Sequence, residues 1–454
     1  MTKFEQVVVG PCPAELYQPS RRRRQGSSPV AQHDPVDEKG LEHVTDVDDR
    51  LEQHGGFPQS DPNDIVTVGV ACFTGSFRLN PFGKSLWVEE MSNRQRRDLY
   101  GLNSSATDFA RAAGLADADW FRSDIPRKRM KELMKRADMP AIRDTILWIG
   151  LAIGFATAGV LLWGTWWAVP CFLAYGVLYG SAADSRWHET GHGTAFKTRW
   201  MNEAVYQLAS FCMMRNPTPW RWQHTLHHTD TLIIGIDPEI LAMRPARLAR
   251  IIANLVGLLD VPWAIYQMLL HSTGRLTADE KTWVPAEERY KAYRTARIWL
   301  AIYATAVGAA VVTQSWLPVV LIGGPRMYGA FMHILYALTQ HAGLGENVLD
   351  HRLNTRTVLM GRVNCFLYWN MNYHLEHHMF PMVPYHRLAD LHEAINRDVP
   401  APYPSMWAAL KEIIPAVLHQ LRDQTYFIKR ELPPTAAPYH GPVDGLMPEA
   451  ANPR

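Results

Sequence analysis

The chain has little cysteine. Its five cysteines (Cys12, Cys72, Cys171, Cys212 and Cys365) form no CxxC pair, which excludes a disulfide framework, a thiolate zinc site and an attached iron–sulfur domain. It also lacks an excess of either charge: 46 Lys and Arg face 44 Asp and Glu, so nucleic acid is not an expected partner. No Gly-rich dinucleotide fingerprint stands in a strand–turn–helix context, and no haem module is fused to the chain. The stretch after Met1 is polar, with no apolar core of a cleavable signal peptide. Over long segments charge is missing altogether. No charged residue occurs across the 39 positions from Thr145 to Ala183, from Ile298 to Pro325, or from Met327 to Gly345.

Those runs reach membrane length, since a spanning helix needs about 20 apolar residues. The first is interrupted near its middle by Gly164-Thr165-Trp166-Trp167 and reads as two spans with a tight, uncharged turn. The second and third, broken near Ser315-Trp316-Leu317-Pro318, read as another hairpin. The expected fold is an all-α integral membrane protein with about four transmembrane helices in two hairpins. Basic residues crowd the segment before the first span (Arg122, Arg127, Lys128, Arg129, Lys131, Lys135, Arg136, Arg143). Others follow the second (Arg186, Lys197, Arg199, Arg215, Arg221), and the hairpin tip has none. By the positive-inside rule both flanks are expected on the cytoplasmic side.

Composition divides the rest. Residues 1–90, with Arg21-Arg22-Arg23-Arg24 and scattered Pro and Gly, read as a poorly structured extension, and the shift at Met91 suggests a start of translation there. Residues 91–144 read as a helical cytoplasmic lead-in that includes a basic amphipathic helix from Asp124. The membrane domain is expected over 145–430 and a flexible tail over 431–454. Residues 250–271, apolar but interrupted by Asp260 and Pro262, read as interfacial or half-buried helices.

Eight of the nineteen histidines fall in three windows: His188-Glu-Thr-Gly-His192, His224-Thr-Leu-His227-His228 and His374-Leu-Glu-His377-His378. On a helix, residues three or four apart share a face, so each window aims its imidazoles one way. Imidazole without thiolate suits iron, copper or zinc. Eight ligands exceed the roughly four to six that one ion takes, so two adjacent metals are expected. All three windows lie outside the charge-free runs and on the same side. A membrane metal transporter or receptor would instead carry its ionisable ligands within the spans.

Together with their flanks, these windows make the chain resemble the membrane-bound fatty acid desaturase and hydroxylase superfamily over roughly residues 145–395. His188 to Gly193 resembles its first histidine box, and Trp220 to His228 with Asp237-Pro238 its second. Asn372 to Pro384 resembles the third. The resemblance implies a cytoplasmic helical cap holding two iron ions through these histidines, with O2 as co-substrate. It also implies a further ligand after the last span, for which His341 is the candidate. The implied metal ligands are therefore His188, His192, His224, His227, His228, His341, His374, His377 and His378, with no catalytic residue beyond them. Glu189, Glu376, Asp230 and Asp237 are candidates to orient the ligand imidazoles. His271, His333, His351, His386 and His392 are expected to be ordinary structural or surface histidines.

The implied reaction is O2-dependent desaturation of a fatty-acyl or lipid chain. A hydroxylase or other monooxygenase acting on an apolar substrate is the alternative, because both use this ligand set. Without an electron carrier of its own, the chain needs a separate ferredoxin, rubredoxin or cytochrome-type donor.

Overall fold

The computed structural model describes residues 92–441; the extension read over 1–90 and the start expected at Met91 lie outside them. The described residues are helical. Two isolated bridges, Thr357 with Tyr373 and Val358 with Tyr403, are the nearest approach to a strand among them. The helices that position the site are labelled α1 to α11.

Among the described residues, two helical stretches are long and apolar enough to cross a membrane, Arg127–Leu161 and Ala286–Thr313. Their continuous cores are α1 (Asp138–Leu161) and α8 (Arg289–Thr313). Both turn large apolar side chains outward, Leu161 being 79% and Val312 84% exposed. A water-soluble fold would bury such surface. The first hairpin closes through Gly164, whose φ of +86° suits a residue without Cβ. Trp166 and Trp167 are exposed at its tip, and amphipathic rings of this kind suit a lipid–water boundary.

The return arms are shorter than their charge-free runs suggest. After the first tip come α2 (Ala168–Gly180) and α3 (Ala182–Gly191), which part at Ser181. After α8 the chain turns at Gln314, in the left-handed region at φ +48°. It continues as the pieces Leu317–Leu321 and Pro325–Tyr328 before α9 (Phe331–His341). Ile322-Gly323-Gly324-Pro325 breaks the helix because the two glycines and the proline disfavour its interior.

The two arms cross almost backbone to backbone. Ser181 Oγ donates to Gly329 O at 2.5 Å, and a Cβ on Gly329 would overlap the backbone of Gly176. Overpacking of that kind costs about 1–3 kcal/mol. Gly329→Ala is therefore expected to lower the melting temperature of the purified protein, and an unchanged melting curve would contradict this crossing.

Beyond the arms lie α4 (Arg199–Met213), α5 (Pro217–Thr229), α6 (Leu248–Asn254) and α7 (Asp260–Ser272). Further on come α10 (His374–Met379) and α11 (Met406–His419). The segment read as interfacial is the α6–α7 pair, turned at Gly257 (φ +64°), with Leu258, Leu259, Trp263, Tyr266 and Leu269 exposed. Arg186 is not a surface charge. It is fully buried, donates to the carbonyls of Ala182, Phe366 and Leu367, and lies 5.1 Å over the Trp369 ring. It ties α3 to the helix Arg362–Tyr368 and drops out of any count of cytoplasmic charges.

The lead-in is less helical than its sequence suggests. After Asn93–Asp98 and Ser105–Ala112 it runs without regular helix to Pro126, along the outer side of α5 and α10. Trp120 Nε1 donates to Thr229 O, Phe121 N to Leu349 O, and Ser123 N lies against Met379 Sδ. Of the tail expected from residue 431, the part up to Gly441 packs on the body. Arg352 donates to Ala437 O, and Ala437 N to Asp398.

Candidate metal centre

Each histidine window sits where a helix meets its neighbours. His188 lies on α3, and His192 is the residue that caps it. α5 starts with an Asn216 side chain accepting from Thr218 N and with Pro217 in its first turn, a good helix start because the ring fixes φ and no N–H is lost. Its last two turns carry His224, His227 and His228. α10 is only six residues long and carries His374, His377 and His378, all buried.

All nine histidines implied as ligands converge, and they do so in two abutting groups. His188, His192, His224, His228 and His377 form one, and His227, His341, His374 and His378 the other. Within each group the candidate ligand atoms lie within 4.8 Å of one another. The groups touch through His228 and His378, whose rings stack with centroids 4.2 Å apart. The two neighbours of α5, His227 and His228, are thus divided between the groups, because consecutive residues on a helix point about 100° apart. The helix works as a partition.

The free nitrogens face inward. His224 Nε2 lies 3.1 Å from both His192 Nε2 and His228 Nε2, and His377 Nε2 lies 3.2 Å from His228 Nε2. In the other group His378 Nε2 is 3.0 Å from His374 Nε2, while His341 Nε2 is buried without a hydrogen-bond partner. Both nitrogens of His188 are buried and unpartnered as well. Buried nitrogens lacking partners are costly, and a cation accepting their lone pairs resolves that cost. The donor set is nine imidazoles, with no thiolate or carboxylate in either group, which fits iron, copper or zinc.

Outer partners fix the tautomers. Carboxylates of Glu239 and Asp237 face His224 Nδ1 at 3.0 Å and His227 Nδ1 at 2.9 Å. His341 Nδ1 faces Asn354 O at 2.9 Å, and His378 Nδ1 the Thr231 hydroxyl at 3.1 Å. A proton held on Nδ1 by an acceptor leaves the Nε2 lone pair for a metal. Burial pushes His188, His192, His228, His374, His377 and His378 well below the usual imidazole range, which favours the neutral form that a metal ligand requires. For His227 burial acts in the same direction, but Asp237 outweighs it and the pKa is raised. Burial disfavours the Glu239 carboxylate, yet His224 and its neighbours hold it down to about 2.

Of the four carboxylates expected as orienting groups, Asp237 alone meets one of the nine candidate histidines. Glu189 accepts from Thr194 Oγ1 and Tyr385 N, Glu376 from Thr357 Oγ1 while facing His392, and Asp230 from Asp117 N. Glu239 was not foreseen. Its only sequence signal is its place two residues after Asp237 in the segment following the second window. Losing such a partner typically weakens metal binding about 10–100-fold. Glu239→Ala is expected to do so for iron, measured by titrating metal-stripped protein; wild-type affinity would remove Glu239 from this role.

The five histidines expected to be structural or surface residues stay outside both groups. His271 bonds Asn216 and Glu280, and His333 lies against Ala330 O and Arg326. His351 stacks on Trp120 at 4.3 Å and backs His378. His392 pairs with Glu376, and His386 packs edge-on to Tyr385.

A cavity of about 1000 Å³ opens onto His188 and His224 of the first group and His227, His341 and His374 of the second. It extends to α6 and α7, the helices with exposed apolar faces.

The family model described as fatty acid desaturase matches residues 164–409, a segment that contains all nine histidines. The chain belongs to the fatty acid desaturase family. Among curated proteins it is similar to the Delta(5) fatty acid desaturase fat-4 of Caenorhabditis elegans, with 24% identity over 229 residues. That match covers 44% of this chain and 51% of the relative, so the chain spans about half the length of the curated desaturase it matches.

Proposed function

We propose that this family member is an oxidoreductase that desaturates a fatty-acyl or lipid chain with O2, at two irons held by the nine histidines. The observation that carries the reading is the pair of abutting, all-imidazole groups opening onto one cavity. Iron bound there supplies the redox chemistry that reduces O2 and breaks an unactivated C–H bond, which zinc and magnesium do not. The chain's own part is to bind, orient and exclude water. His224 and His227 are turned by Glu239 and Asp237, and α5 keeps the two groups apart at a fixed spacing. Trp187 and Trp220 wall the cavity beside His188 and His224, limiting water at the place where a substrate carbon must be held.

The catalytic face is assigned to the cytoplasm and the chain to four membrane passes in two hairpins. Supporting this are the apolar exposed faces of α1 and α8, the tryptophans at the first tip, and the basic flanks, now counted without Arg186. Electrons come from a separate ferredoxin, rubredoxin or cytochrome-type protein. The domain limits follow the same reading: lead-in 91–144 and membrane domain 145–430.

Lipid extracts from cells with and without the protein, compared by mass spectrometry, test the reaction. A product lighter by two hydrogens is expected. A product heavier by one oxygen would replace desaturation by hydroxylation, and no change in any lipid would overturn the reading.

A further inference from the structure

Arg326 is the one guanidinium placed between two charge-free runs, and it is 3% exposed. It lines the cavity that reaches His188, His224, His227, His341 and His374. A guanidinium carries five N–H donors and no acceptor, so its partners can be counted. Nε donates to Met213 O at 3.3 Å. Both terminal nitrogens lie 3.4 Å from the ring nitrogens of His333. But His333 Nδ1 also faces Ala330 O at 2.6 Å, so its proton sits there and only Nε2 can accept. Most of the terminal N–H groups therefore have no acceptor.

Nor does Arg326 have a directly paired counter-ion: no carboxylate lies within ion-pair distance of it among the described residues. The acids that line the same cavity nearby are engaged elsewhere. Asp184 is bonded by Arg215 at 2.5 Å, and Asp260 by Asn254 at 2.7 Å with Arg250 at 3.5 Å. A buried cation without a counter-charge is strongly unfavourable. Ionisable residues within membrane segments face an interior cavity and mark a binding pathway. The geometry fits an anion that arrives with the ligand.

We propose that Arg326 binds an anionic group of the substrate, so the cavity takes an amphiphilic acid, with a carboxylate or a phosphate, in preference to a neutral lipid. The charged group anchors at Arg326 while the chain lies along the cavity toward the histidines, which fixes the carbon presented there. This deepens the desaturase reading and rests on it only in treating this cavity as the substrate's.

The test measures binding of tritiated palmitate and of tritiated hexadecanol to the purified full-length protein in neutral-lipid nanodiscs, with hexadecyl phosphate as competitor. Palmitate or hexadecyl phosphate should bind about tenfold or more tightly than the alcohol, as a charge-assisted hydrogen bond provides. Whichever of the two competes better identifies the group. Arg326→Gln should bring the acid to the alcohol's affinity without changing alcohol binding or iron content, and Arg326→Lys should restore part of the preference. Equal binding of acid and alcohol by the unaltered protein would overturn the proposal without any variant. So would an undiminished acid preference in a folded Arg326→Gln. Failure to find any lipid product would overturn the desaturase reading instead, while leaving this acid preference measurable.

Discussion

Replacing His377 by alanine is expected to abolish product formation while leaving the protein folded and inserted in the membrane. His377 is fully buried on α10, its Nε2 faces His228 Nε2, and its ring lies 4.5 Å from His188 and 4.9 Å from His192. It is the sole member of the first group that comes from the third window. The substitution therefore removes the link by which α10 closes a site otherwise built by α3 and α5. A loss of at least 100-fold in turnover is expected, with iron content falling toward that of the second group alone, because an ion held at a closed set of imidazoles depends on each of them. His227→Ala should be equally damaging through the second group, since it also removes the imidazole that faces the buried Asp237 carboxylate and leaves that carboxylate only the backbone N–H groups of Leu232 and Glu239. Product formation by either variant at more than a tenth of the wild-type rate would remove that histidine from the proposed ligand set.

Stripping the metal is the second large effect. Nine imidazoles from four helices and α3's capping residue meet at nitrogens that have no better partner than each other. Without cations these contacts set lone pairs against lone pairs in a buried, low-dielectric place. Ligands that bind the folded chain and not the unfolded one stabilise it by mass action, by about 4 kcal/mol at a thousandfold excess over Kd. Dialysis against an iron chelator should lower the melting temperature by several degrees, and restored ferrous iron should recover it. A melting curve indifferent to the chelator would mean that packing alone holds α3, α5, α9 and α10 together.

The histidine windows were legible because their information is local. Spacings of three and four residues need only a helix to become a shared face, and α3, α5 and α10 supply it. His341 was a candidate only through the family resemblance, which implies a further histidine after the last span, and α9 brings it into the second group. What could not be read was the set of outer partners. Glu189 and Glu376 each adjoin a ligand in sequence, and on a helix that neighbour points about 100° away. They serve Thr194, Thr357 and His392 instead. Glu239 reaches His224 because the turn-rich segment after Asp230 folds back along α5, a path set by tertiary contacts such as Ile234 N to Asn347 Oδ1. The broken return arm after α8 did carry a sequence signal. Gly323-Gly324-Pro325 interrupts its charge-free run, and counting charge alone passes over it.

Two irons held by nine histidines are the core of the proposed function. Elemental analysis of the purified full-length protein, grown with ample iron, tests it most directly when combined with Mössbauer spectroscopy of the same sample. About two irons per chain are expected, magnetically coupled as neighbours, with both lost in His228→Ala, whose ring is in one group and stacked on the other. Stoichiometric zinc with no iron, or a single uncoupled ion per chain, would contradict it.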